Sequence, residues 1–177
     1  MEYRSFNSLL QGDFLWLEPI AKNRFIHPIG ARVLEVEDDK FKVIDDFAEE
    51  QWLPTDYPYR VMHATSVQGV EDMINLSDLH EAALLRNLFV RYNSKLIYVI
   101  TGFTYSEIDL QTYVGSVLIA VNPNMPLPIY SIEQIRLYHN RRIGELPPHI
   151  FAIANSAYCN MKSSNRDQCI LIKLVLD

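Results

Sequence analysis

The hydrophobic period of the chain changes near residue 60, and that change rules out one uniform architecture from end to end. Before it the apolar residues fall in short, β-branched runs. After it they recur at helical spacing, interrupted by brief continuous apolar stretches. The two parts must therefore bury their apolar faces by different means.

The first part reads as short strands. Phe14-Leu15-Trp16-Leu17 is apolar and stops at Glu18-Pro19. Ala31-Arg32-Val33-Leu34-Glu35-Val36 and Phe41-Lys42-Val43-Ile44 flank the polar segment Glu37-Asp38-Asp39-Lys40, the pattern of a hairpin. Gln51-Trp52-Leu53-Pro54 suits a further strand. Several short strands in so few residues imply a small antiparallel barrel. Residues 1–60 hold twelve Asp or Glu against seven Lys or Arg. Those acids are expected on the solvated face of the barrel.

The second part, residues 61–177, alternates helices with strands. Ser77 suits an N-cap, with Asp78 and Glu81 in the first turn and Arg86 and Arg91 toward the end. Leu79, Ala82, Leu85, Leu88 and Tyr92 then form the expected buried face. Val117-Leu118-Ile119-Ala120-Val121 is short, continuous and ended by Asn122-Pro123, so a strand buried on both faces is expected. Ser131-x-x-Gln134 opens a helix as a capping box, running to Arg141, Arg142 and a stop at Gly144. Pro147-Pro148 precedes another, with Phe151, Ala154, Tyr158 and Met161 on one face and Ser163-Ser164-Asn165 at its end. Gln168-Cys169-Ile170-Leu171-Ile172 reads as a buried strand, and with the helices it suggests the start of an α/β sheet.

Composition narrows the function classes. Net charge is −6, against the basic surface that non-specific nucleic-acid binding needs. No apolar run approaches the roughly 20 residues of a membrane span. Met1-Glu2-Tyr3-Arg4-Ser5 lacks the apolar core of a signal peptide. Cys159 and Cys169 are too few for a disulfide framework and are expected as buried, reduced thiols. His27, His63, His80, His139 and His149 show no metal-ligand spacing, and His149 beside Pro148 reads as a packed or capping residue. No Gly-x-Ser-x-Gly elbow occurs. No Gly-x-x-x-x-Gly-Lys-Ser/Thr phosphate loop occurs either. Asn122-Pro123 after a strand is the most suggestive local feature. It is either a simple turn or the start of a Pro-rich loop, ending at Tyr130, that packs against a flat ring beyond a strand's carboxyl end.

Several segments resemble the start of a myosin heavy chain, most closely class VII. Met62-His63-Ala64-Thr65-Ser66-Val67-Gln68-Gly69-Val70-Glu71-Asp72-Met73 resembles the entry to that motor. Residues 79–98 resemble its first helix and following strand. Arg142-Ile143-Gly144-Glu145-Leu146-Pro147-Pro148-His149-Ile150-Phe151-Ala152-Ile153-Ala154 is similar to a specific myosin signature, and residues 168–172 to the strand that delivers the phosphate loop. The resemblance implies an SH3-like antiparallel barrel over residues 1–60. It implies an incomplete P-loop NTPase motor domain over residues 61–177, in a mixed α+β and α/β fold.

The resemblance assigns Asn122, Pro123 and Tyr130 to the purine-binding loop; Asn124 stands where the family usually has an aromatic residue. It also marks two departures. Residues 99–111 have no counterpart in the family and are expected as a surface excursion. After Ile172 the family's Ser-Gly-Glu-Ser-Gly-Ala-Gly-Lys-Thr is missing, and Lys173-Leu174-Val175-Leu176 resembles a later stretch joined directly to the strand. ATP with Mg²⁺ is the cofactor the family implies, and actin filaments are the partner. The implied setting is cytoplasmic and cytoskeletal. With the phosphate loop, switch loops and actin-binding region missing, the chain itself is expected to be inactive and to hold no cofactor tightly. No catalytic residue, metal ligand, membrane span, nucleic-acid partner or light chain is expected. The alternative is an acidic SH3-like interaction module without nucleotide chemistry.

Overall fold

The structure, a computed structural model, describes residues 9–20, 26–101 and 117–173. They divide between two compact units, Met1–Ser94 and Lys95–Asp177.

In the first unit, β1 (Phe14–Leu17), β2 (Ile29–Val36), β3 (Lys40–Asp45), β4 (Glu50–Pro54) and β5 (Tyr59–Val61) form one antiparallel sheet. Their order is β4-β3-β2-β1-β5. The expected hairpin is β2–β3: Val33 pairs with Val43 and Val36 with Phe41, with a bulge between Val33 and Glu35. The Glu37 N–H bonds the Lys40 carbonyl at 2.9 Å and closes the turn. Alternation along β3 sends Phe41, Val43 and Asp45 inward. Leu15, Leu17, Val33, Phe41, Val43, Leu53 and Tyr59 share one core. Leu53 lies on β4 and Tyr59 on β5, the two outer strands of the order. Both reach the same interior, so the sheet curls into a small barrel. Each such side chain contributes about 1.5–3 kcal/mol by leaving water. Glu35, Glu37, Asp38 and Asp39 are exposed, whereas Asp45 is buried and Asp46 half-buried.

The barrel strands end at Val61, but the compact unit continues through α1 (Ala64–Gln68), a 3₁₀ turn (Met73–Asn75) and α2 (Glu81–Asn93). Trp16 points away from the barrel interior and packs with Met62, Ala82 and Ala83.

Helix α2 departs from its sequence pattern in two ways. Its N-cap is His80, whose Nδ1 accepts the Ala83 N–H at 3.2 Å. Ser77 and Asp78 are drawn into tertiary bonds instead. The Ser77 N–H donates to Thr65 Oγ1 at 3.1 Å, and Asp78 Oδ2 accepts from the Trp16 indole and the His63 N–H. Its packed face is Ala82, Ala83, Arg86, Asn87 and Arg91, while Leu79, Leu85 and Tyr92 are exposed. The polar groups win because they meet backbone that needs partners. Asn87 is fully buried and bonds both the N–H and the carbonyl of Val70, at 2.7 and 3.1 Å. Gly69, at φ +75°, lets the chain pass that amide.

In the second unit, β6 (Tyr98–Thr101) pairs antiparallel with β7 (Val117–Ala120), matching Tyr98 to Ala120 and Val99 to Ile119. Val99 and Ile100 are buried strand residues, so the expected surface excursion over residues 99–111 cannot begin before Thr101. Residues 102–111 lie outside the described residues. β7 is a strand as expected, but a half-exposed one. Its ladder bonds are satisfied by β6 on one side.

Ser131 caps α3 (Ile132–Tyr138) through the Gln134 N–H at 3.3 Å. The helix stops before Arg141 because Asn140 turns left-handed, at φ +59°. Asn155 holds that turn, accepting from the Asn140 N–H at 3.0 Å and donating to the Arg141 carbonyl at 2.9 Å. α4 (Ile150–Ser164) ends at left-handed Asn165, the expected stop. Its 151-154-158-161 face is not buried: Tyr158 is 51% exposed and Met161 45%.

Residues 168–172 carry no regular secondary structure and are exposed, Leu171 to 91%. The buried strand expected there does not form, because the described residues bring no neighbouring strand to it. Cys169 is exposed and Cys159 half-buried, against the expectation of two buried thiols; both are free.

Candidate functional site

The loop of residues 122–130 leaves the C-terminal end of β7. Its entry is an Asn-Pro turn closed by the Asn122 side chain, whose Oδ1 accepts the Asn124 N–H at 3.0 Å. Asn124 takes a left-handed conformation, φ +50°, which Asn tolerates better than a bulky ring would. Asn122 is exposed and Pro123 half-buried.

At the other end of the loop Tyr130 returns to the sheet. Its hydroxyl lies 2.7 Å from that of Tyr98. Tyr98 is the β6 residue paired with Ala120, two positions before Asn122. Both ends of the loop therefore sit at one end of the two-stranded sheet. The Tyr130 ring stays 53% exposed.

Behind Tyr130 lies an aromatic cluster centred on His149. The imidazole stacks on Tyr138 at 5.1 Å and meets the rings of Tyr98, Tyr130 and Phe151 at 5.0, 5.6 and 4.5 Å. It caps α4 by accepting the Phe151 N–H on Nδ1 at 3.1 Å. Burial holds its pKa below the usual histidine value, although the Ile129 carbonyl bond opposes that. Burial, then the bond to Tyr130, raises the Tyr98 phenol. His149 is thus a capping residue within a packed cluster, as its place after Pro148 suggested. Tyr98 had no comparable signal: it looked like one more strand residue, and only the pairing with β7 brings it to the loop.

The segment after α4 is different. Residues 168–173 are exposed and without strand pairing. In the sequence Ile172 passes directly into Lys173, with no glycine to let backbone N–H groups converge on an anion. Among the described residues no three His, Cys, Asp or Glu side chains lie where they could hold a metal ion. Among the described residues Tyr130 keeps an open ring face at this end of the sheet. None of the helices among the described residues is long and apolar enough to cross a membrane.

The first unit has a groove of about 460 Å³ between the barrel and α2, lined by Trp16, Pro28, Phe47, Leu85 and Phe89 among others. Of its polar members, Asp46 and Arg86 are bonded to each other and His27 lies 3.9 Å from Glu81.

A barrel of this topology followed by these motor segments has close relatives. Residues 10–62 match the family model "Myosin VII N-terminal beta barrel domain", and residues 70–173 match "Myosin head (motor domain)". The chain belongs to the myosin family, as a motor-domain piece of the class VII type. It is 52% identical over 162 residues to Unconventional myosin heavy chain 6 of Caenorhabditis elegans, and 51% over 162 residues to Myosin-VIIa of Drosophila melanogaster. It is 45% identical over 163 residues to Unconventional myosin-VIIb of Mus musculus. These alignments cover 92%, 92% and 91% of this chain. The chain spans about 7% of the length of each of these relatives.

Proposed function

We propose that this chain supplies the adenine-facing part of a myosin nucleotide site, through Asn122, Pro123 and Tyr130, and does not hydrolyse ATP as a 177-residue chain. The observation that carries the reading is Tyr130: its hydroxyl is held to Tyr98 while half its surface stays open. A flat ring can stack on that surface at little entropic cost. The family's ATP, Mg²⁺, actin filaments and cytoskeletal setting come to this chain as expectations of the same reading. Phosphoryl transfer needs a phosphate cradle, a lysine within it and a metal held by a hydroxyl. Lys173 alone, exposed and without a cradle, contributes little to phosphate binding.

Calorimetry of the purified chain is the test. Adenosine and Mg-ATP should bind weakly and about equally, because the phosphates add nothing, and no phosphate should be released. Mg-ATP binding far tighter than adenosine, or turnover, would overturn the reading. So would adenosine binding that survives Tyr130→Ala.

A second reading has its own observation. The compact unit Met1–Ser94 contains the barrel's buried core and an open apolar groove. That favours a separable interaction module, whose test is a cooperative transition in the isolated unit.

A further inference from the structure

We propose that His149 is the positioning residue of the 122–130 loop, fixing its C-terminal end so that the Tyr130 ring is presented in one orientation. The value of that orientation for a purine rests on the function proposed above; the positioning itself does not.

The two ring nitrogens have opposite duties. Nδ1 accepts the Phe151 N–H at 3.1 Å, so it carries no proton. Nε2 then carries the proton and donates to the Ile129 carbonyl at 3.0 Å. Ile129 is the residue immediately before Tyr130. One neutral imidazole thus joins the first turn of α4 to the end of the loop.

An ordinary N-cap would do only half of this. Ser, Thr, Asp or Asn satisfies the helix N–H groups, but has no second donor at the far side of a ring. Nor would it fill the space between Tyr138, Tyr98, Tyr130 and Phe151. His149 is only 6% exposed, so its Nε2–H and the Ile129 carbonyl answer each other away from water. Tyr130 is therefore held at three places: its preceding carbonyl by His149, its ring by a tilted contact with the imidazole, and its hydroxyl by Tyr98. The titratable groups in ring contact with the imidazole are the phenols of Tyr98, Tyr130 and Tyr138.

Protonating Nδ1 turns it from acceptor to donor, facing the Phe151 N–H. The ring must then shift, and the hold on Ile129 goes with it. This gives a signature that a merely structural residue would lack.

The experiment uses the full chain with fluorine-labelled tyrosine, the Tyr130 resonance being assigned through Tyr130→Phe. In the unaltered chain that resonance should step as the pH falls below about 6.5, the ordinary histidine value. His149→Asn keeps a good cap, so helix content should stay. The Tyr130 resonance should move toward that of an exposed tyrosine, and the pH step should vanish. A resonance unmoved by His149→Asn overturns the proposal. If that variant does not fold, a flat pH profile in the unaltered chain overturns it alone. Adenosine is the final probe. If it leaves Tyr130 unshifted in the unaltered chain, the purine reading fails, while the His149→Asn shift still decides the positioning role.

Discussion

Arg86 on α2 reaches Asp46, just past the end of β3, and bonds both carboxylate oxygens: Nε to Oδ2 at 2.8 Å and Nη2 to Oδ1 at 3.0 Å. Nη1 turns the other way, to the carbonyl of Ser66. The two side chains are 8% and 19% exposed. Burial pushes the Asp46 carboxyl up and Arg86 pulls it back, leaving it above the ordinary value. The approach passes directly over Gly30. A Cβ there would collide with the Asp46 carboxylate and the Arg86 guanidinium.

Breaking one side of this pair strands a buried charge. Arg86→Leu should destabilise the chain by about 3–5 kcal/mol, read as a lower urea midpoint by far-ultraviolet circular dichroism. Arg86→Leu combined with Asp46→Leu should recover part of the loss, because no charge is left unpaired. Gly30→Ala should lower the midpoint as well. Full stability in Arg86→Leu would mean that the Asp46 carboxylate is satisfied without the guanidinium.

The first unit should need α2. Cutting after residue 60 removes the Met62 N–H bond to the Phe14 carbonyl, the Arg86 partner of Asp46 and the cover over Trp16, which is 1% exposed in the chain. Residues 1–94 should melt cooperatively and at a higher temperature than residues 1–60. Equal melting temperatures in scanning calorimetry would show that the barrel closes without its helix.

His80 and His149 both cap helices through an unprotonated Nδ1, and burial lowers both pKa values from the ordinary 6.5. The unfolded chain therefore takes up protons at a higher pH than the folded one. Stability from these groups is complete above about 6.5 and declines as the pH falls toward the folded values. Melting temperature should drop across that window, and less steeply in a His80→Asn, His149→Asn chain. Parallel profiles for the two chains would assign the acid sensitivity to other groups.

Leu79 and Asn87 invert what the helical pattern implied. Leu79 is 78% exposed, so Leu79→Ser should change stability by no more than about 0.5 kcal/mol. Asn87→Leu leaves both Val70 backbone groups without their partner and should cost about 1–3 kcal/mol for each group stranded. Chemical unfolding of the two variants side by side decides the point. A larger loss from Leu79→Ser would restore the apolar face to the core.

What the sequence discloses follows the range of the forces involved. The β2–β3 hairpin, the Ser131 cap and the Asn165 stop are local, and they read directly from residues a few positions apart. The packed face of α2 does not, since Arg86 and Asn87 answer carbonyls at residues 66, 67 and 70. No periodicity encodes those partners. The same limit applies to residues 168–172, whose apolar run reads as a strand although pairing depends on neighbours elsewhere. At the site, Asn122, Pro123 and Tyr130 stood out by motif. Tyr98 joined them only through the β6–β7 register.

Trp16 and Trp52, the chain's two tryptophans, both lie in the first unit, whereas Tyr98, Tyr130, Tyr138 and Tyr158 lie in the second. Light at the red edge of tyrosine absorption excites only the indoles. The chain's native emission therefore reports on the barrel and its helix alone, and the aromatic cluster around His149 stays dark to it. Because Tyr57, Tyr59 and Tyr92 share the first unit, any disagreement between indole emission and a signal resolved to Tyr98, Tyr130, Tyr138 or Tyr158 during unfolding would measure how separately the two units come apart.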